Sequence, residues 1–129
     1  MTALRLWWVF LGGGLGSGAR YLIGTFLLER LGAAFPFGTL AVNLIGSALL
    51  AALVQVSFAT DAVSAELRIG IAAGFLGGFT TYSAFSVETF AYLQDGAWGL
   101  VAGYVAVTLI GCLCACLLGQ SVARWLVGG

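Results

Sequence analysis

The chain has 129 residues, of which 61% are hydrophobic and only 8% charged, against about 25% charged in ordinary soluble domains. Five basic and five acidic residues cannot cover a soluble domain of this size and leave no basic face for nucleic acid, so the expected surroundings are membrane lipid. Histidine is absent, which removes the commonest metal ligand and the usual general base, and no nucleophile–base pair takes its place, so an enzyme is the least favoured reading.

The first apolar stretch predicts a helix over 4–28. It is too long for a signal peptide, and no small-residue cleavage site and polar mature region follow it. It therefore reads as a membrane span, with Arg20 inside it. A charged side chain within a span is costly and marks a functional-site candidate. Residues 14–19, Gly-Leu-Gly-Ser-Gly-Ala, fit the G-x-G-x-x-A dinucleotide fingerprint. That motif needs a preceding strand and a βαβ unit, so inside a membrane helix it carries no nucleotide reading. Gly12 and Gly16, and Gly14 and Gly18, instead make small-residue faces that let helix backbones approach closely in lipid.

Residues 29–36 form a connection ending in Pro36, a residue suited to a helix start. The second helix is expected over 37–58, within a charge-free run from Leu31 to Thr60. Crossing the hydrocarbon core takes about 20 apolar residues, which this run supplies. Thr39, Asn43 and Ser47 recur every four residues and so share one helix face.

After a polar connection the third helix is expected over 67–93, with Gly70, Gly74 and Gly78 on one face. Its middle reads Gly77-Gly78-Phe79-Thr80-Thr81. Glycine weakens a helix by about 1 kcal/mol relative to alanine, and threonine can cap a new helix start. The stretch 77–81 is therefore expected to unwind, giving two half-helices. Unwound backbone at membrane depth must be buried in protein or line a cavity, and the C-terminal end of the first half suits a cation. Tyr82, Ser83, Phe85, Ser86 and Thr89 follow at three- and four-residue steps, and Glu88 is the only carboxylate within a span.

A turn at 94–96 leads to the fourth helix, expected over 98–126, where Tyr104, Thr108, Cys112 and Cys116 recur every four residues. Cys112, Cys114 and Cys116 make neither a disulfide framework nor a zinc pattern and read as packing residues.

The expected fold is all-α: one transmembrane domain covering residues 1–129, with four spans and both termini on one side. That side receives Arg5, Arg68 and Arg124, against Arg30 and Arg20, a weak bias under the positive-inside rule. Weak bias permits insertion in both orientations and hence antiparallel pairing. Four short helices enclose little interior, so oligomerisation is expected. The polar stripes alone fit two readings, interhelical bonding or a transport path. Hydroxyl and amide donors with few carboxylates suit an anion better than a cation. Asn43, Tyr104 and Thr108 can donate, Arg20 adds positive potential, and Phe85 can present a ring edge of positive partial charge.

Taken together, these segments resemble a known family. Residues 74–88, Gly-Phe-Leu-Gly-Gly-Phe-Thr-Thr-Tyr-Ser-Ala-Phe-Ser-Val-Glu, resemble the third-helix motif of the Fluc (CrcB) fluoride channels; residues 37–46, Phe-Gly-Thr-Leu-Ala-Val-Asn-Leu-Ile-Gly, resemble their second-helix motif. Residues 16–21 and the pair Gly103-Tyr104 are similar to the first- and fourth-helix motifs. The resemblance implies an antiparallel, dual-topology homodimer in a bacterial inner membrane, with two fluoride pores that export fluoride passively. It implies a structural, non-transported Na⁺ at the dimer centre, held by the backbone carbonyls of Gly77 and Thr80 in each subunit. It implies a fluoride path along Asn43, Tyr82, Ser83, Phe85, Tyr104, Thr108 and Cys112, joined by Thr39, with Arg20 and Glu88 at the vestibule. Tyr82 and Ala84 depart from the family's usual phenylalanine and threonine.

The competing reading is a small dual-topology exporter like the small multidrug resistance transporters. Those depend on a carboxylate in the first span, and this chain has none between Met1 and Leu28. A non-transporting assembly subunit would explain the glycine faces but not the aligned polar stripes.

Overall fold

The computed structural model describes residues 2–128, and these are helical with short connections and no strand among them. Helix α1 covers Thr2–Leu31 and stops at Gly32, whose φ of +80° is the left-handed conformation that ends many helices. Helix α2 covers Phe37–Ala59 with Pro36 at its N-cap. Ser64 caps α3, Ala65–Ile69, by accepting from the Leu67 amide. A π-helical stretch, Gly70–Leu76, continues α3 into the short α4, Gly77–Phe79. Helix α5 covers Tyr82–Gln94. A turn through Gly96, at φ +67°, leads to α6, Trp98–Leu126.

α2 lies along α6, and α1 lies along α3, the π stretch and α4. Missing side chains allow both approaches. A Cβ on Gly16 would collide with the Phe75 carbonyl, and one on Gly78 would sit 2.6 Å from the Gly13 carbonyl oxygen. A Cβ on Gly119 of α6 would strike the backbone of Ala48 in α2. The faces through Gly12–Gly16 and Gly70–Gly74–Gly78 thus pack as their spacing predicts, whereas Gly14 and Gly18 meet open space.

Among the described residues the buried apolar set is only Val42, Leu76, Phe79, Phe85, Tyr104 and Ala123, while Trp7, Phe10, Leu15, Leu113 and Leu117 are exposed. An apolar exterior around so small a core needs lipid or another chain to cover it, and the molecule is a membrane protein. Helices α2 and α6 are long and apolar enough to cross a bilayer. α1 has the length, 30 residues, but its glycines and Arg20 lower its hydropathy.

The break in the third helix differs from the expectation. Gly77 stays helical at φ −63°, ψ −39°, and Gly78 stays within α4. Only Thr80 (φ −85°, ψ 159°) and Thr81 (φ −151°, ψ 117°) are extended. Gly78 is used for close approach to α1, against Gly13 and Ser17. The threonines carry the break: the Thr80 amide and Oγ1 both donate to the Leu76 carbonyl, at 3.0 and 2.9 Å, closing the first half, and Thr81 Oγ1 accepts from the Ala84 amide at 3.2 Å, capping the second. The π stretch was not expected. There the Gly77 amide reaches the carbonyl of Ala72, five residues back, a geometry often found at functional sites.

Candidate functional site

The break is held from both sides. On the α2 side the Asn43 amide grips Thr81 twice: Nδ2 donates to the Thr81 carbonyl at 3.0 Å, and Oδ1 accepts from the Thr81 amide at 2.8 Å. On the α1 side Arg20 Nε donates to the Gly78 carbonyl at 2.9 Å. A helix C-terminus carries partial negative charge, so the guanidinium sits where that charge collects.

These bonds decide which carbonyls remain free. In an unbroken α-helix a carbonyl accepts from the amide four residues on. For Gly77 that amide belongs to Thr81, which donates to Asn43 instead. For Thr80 it belongs to Ala84, which donates to the Thr81 hydroxyl. The carbonyls of Gly77 and Thr80 are thus left without their helical donors, while that of Gly78 is taken by Arg20. Oxygen atoms freed in this way suit a hard cation.

One cavity borders the break and a second lies toward the end of α1. The first, about 360 Å³, is lined by Asn43, Gly46, Ser47, Gly77, Thr80, Thr81, Tyr82, Phe85, Thr108 and Cys112 with four apolar residues. Thr108 is 7% exposed, and its Oγ1 is buried with no hydrogen-bond partner among the described residues. Buried hydroxyls nearly always find a partner, so an orphan beside a cavity marks a place for a ligand. Tyr82, also on this cavity, leaves 79% of its surface outside the chain.

The second cavity, about 350 Å³, runs between the end of α1, the start of α2 and α5, and its wall includes Phe35, Thr39, Glu88 and Tyr92. Here the polar groups are paired. Glu88 accepts from Thr39 Oγ1 at 2.6 Å and from the Tyr104 hydroxyl at 2.6 Å. Tyr104 is 0% exposed and divides the cavities. Its ring stands edge-on to Phe85 at 5.0 Å on one side, and to Phe35 at 5.2 Å and Tyr92 at 6.4 Å on the other.

The residues singled out in the sequence therefore separate into groups. Asn43, Tyr82, Phe85, Thr108 and Cys112 share one cavity with Gly77 and Thr80. Thr39 and Glu88 share the other, tied to Tyr104. Ser83 is exposed, contacts the Thr81 hydroxyl at 3.3 Å, and is not among the residues lining the first cavity. Arg20 lines neither cavity and meets the break from behind.

Two features were not foreseen. Gly46 leaves room for the Thr80 methyl, which a Cβ there would strike. Phe35 and Tyr92 extend the aromatic cluster around Tyr104. The one sequence signal for Gly46 was its place at the end of the second-helix motif, residues 37–46; Phe35 carried none, because it precedes the helix.

Comparison with known proteins identifies the family. Residues 7–120 match the family described as CrcB-like protein, Camphor Resistance (CrcB). A fluoride-specific ion channel FluC of Anaeromyxobacter sp. (strain K) is 48% identical over 124 residues, covering 96% of this chain and 98% of that protein. The FluC of Sorangium cellulosum is 45% identical over 125 residues, covering 97% and 98%. That of Citrifermentans bemidjiense is 43% identical over 120 residues, covering 93% and 97%. With the matched region spanning all the helices that build the break and both cavities, the chain belongs to the CrcB family.

Proposed function

We propose that this chain is a fluoride channel that lets cytoplasmic fluoride leave the cell passively through a bacterial inner membrane. The observation that carries the reading is the buried Thr108 hydroxyl without a partner, on a cavity shared with Asn43, Tyr82 and Phe85. These groups are donors and ring edges, and no carboxylate is among them. Fluoride is small and strongly hydrated, so a path must replace its water. Thr108 O–H, Tyr82 O–H and the remaining N–H of Asn43 are hydrogen-bond donors, and Phe85 offers a ring edge. Conduction needs binding strong enough to admit the ion and weak enough to release it, which a row of neutral donors favours over a fixed cation.

The chain crosses the membrane four times in this reading and pairs antiparallel with a second copy. Tyr82 supports the pairing: it borders the cavity at the break, yet 79% of its surface lies outside the chain. The carbonyls of Gly77 and Thr80, freed by Asn43 and by the Thr81 cap, would hold a Na⁺ shared between subunits. Bound there, it would neutralise two half-helix ends without being transported. Glu88, held by Thr39 and Tyr104, would sit at the vestibule.

Fluoride efflux from proteoliposomes containing the purified protein, with chloride as the control ion, tests the function. Selective fluoride flux in Na⁺ buffer is expected, and its absence sinks the proposal. Phe85→Ile should sharply slow flux while leaving the dimer intact; wild-type rates would move the path elsewhere.

A further inference from the structure

The cysteines of α6 are unequal. Cys112 and Cys116 are half-buried, whereas Cys114 is exposed. Cys112 lines the first cavity together with Ser47, and the Cys116 thiol donates to the Ser47 carbonyl at 3.5 Å. Side chains four apart on a helix are neighbours, with Cβ atoms roughly 5–6 Å apart. Cys114 points elsewhere, two residues out of step. Two thiols so placed cannot complete the tetrahedral set that zinc requires, and no group of three or more acidic, cysteine or histidine side chains is present among the described residues. They do suffice for a soft ion of coordination number two. A linear sulfur–metal–sulfur unit spans about twice a metal–thiolate bond, roughly 2.3 Å each for zinc, within reach of this pair.

We propose that Cys112 and Cys116 form a two-thiol site for a linear soft cation, Hg²⁺ being the best fit, and that this site opens onto the cavity read above as the fluoride path. The binding step breaks two S–H bonds, forms two S–Hg bonds and releases two protons to water, with no change of oxidation state. The product is neutral, which matters at membrane depth, where a net charge is expensive. Thr108, one turn from Cys112, lines the same cavity, so metal bound at the pair sits beside the proposed anion path. The consequence for flux rests on the fluoride-channel reading; the binding itself does not.

The test is therefore made in two parts. Purified protein is titrated with Hg(NO₃)₂, bound metal is measured, and free thiols are counted. In wild type and in Cys114→Ser, loss of two thiols per bound Hg²⁺ is expected. In Cys116→Ser and in Cys112→Ser that paired loss should disappear. Paired loss that persists in Cys116→Ser, or that requires Cys114, overturns the site. Fluoride efflux is then followed with and without Hg²⁺. Wild-type and Cys114→Ser flux should be blocked and recover with dithiothreitol; flux in either that Hg²⁺ leaves unchanged overturns the link between this site and the cavity. Paired binding with no basal flux supports the site and fails the fluoride reading; basal flux without paired binding does the reverse.

Discussion

Thr39 and Thr108 are the same residue in opposite circumstances. Thr39, on the cavity at the end of α1, donates to Glu88 at 2.6 Å, and its carboxylate partner is also bonded by Tyr104. Thr108, on the cavity beside the break, is buried with no partner for its hydroxyl. One threonine belongs to a closed network and serves structure. The other is a donor held in reserve. The difference teaches that a polar stripe is not one kind of feature: bonded hydroxyls stabilise the helix assembly, and unbonded ones cost stability and invite a ligand.

The largest effect that would break this contrast is expected at Asn43. Asn43→Ala removes both bonds to Thr81 and frees the Thr81 amide to return to the Gly77 carbonyl. Loss of a polar partner costs about 1–3 kcal/mol, and here the Thr81 carbonyl loses its donor while the break is drawn back toward helix. Thermal unfolding in detergent should shift clearly downward, and fluoride flux should vanish. A variant with wild-type flux would show that neither the shape of the break nor the amide donor matters.

Arg20→Met probes the back of the same break. It leaves the Gly78 carbonyl unpaired while keeping much of the side-chain volume. A destabilisation of about 1–3 kcal/mol is expected, read by thermal unfolding, with flux reduced less than in Asn43→Ala. An equal loss of flux in the two variants would place Arg20 in the conduction path after all.

Thr39→Val tests the closed network. Hydrogen bonds to charged groups contribute about 1.5–3 kcal/mol, and this substitution removes one at nearly constant volume. Thermal stability should fall by an amount in that range. Unchanged stability would mean that the Glu88 network does not hold α2 to α5.

These contrasts also show what the sequence could reveal. The helical nature of the chain was legible, because long apolar runs between short polar connections leave a bilayer protein little choice. The helix expected over 98–126 is Trp98–Leu126, since Gly96 and the closing Val127–Gly128 turn bracket it. The third helix was legible only as interrupted. Composition could not say that Gly77 and Gly78 would remain helical, because Gly13 and Ser17 of α1 lie against Gly78 and the Gly77 amide bonds back to Ala72 in the π stretch. The site was partly legible for the same reason. A four-residue repeat placed Asn43, Thr108 and Cys112 on facing stripes, but periodicity cannot tell a bonded hydroxyl from a free one. Asn43 was expected to donate to an ion, and it holds the Thr81 backbone first.

Thr108→Val is the smallest change in stability and the most direct test of the comparison. The hydroxyl it removes has no partner, so folding loses no hydrogen bond. Burying an unpaired hydroxyl costs about 1–3 kcal/mol by mutational measure, and valine relieves that cost while filling nearly the same space. Thermal stability should therefore hold or rise slightly, opposite in sign to Thr39→Val. Flux should still fall, because the anion loses a donor where it has given up water. A destabilised Thr108→Val would mean that the hydroxyl has a structural partner supplied by the second subunit. A stable variant with unchanged flux would mean that the ion passes without using it. Only stability kept and flux lost fits a hydroxyl reserved for the ion.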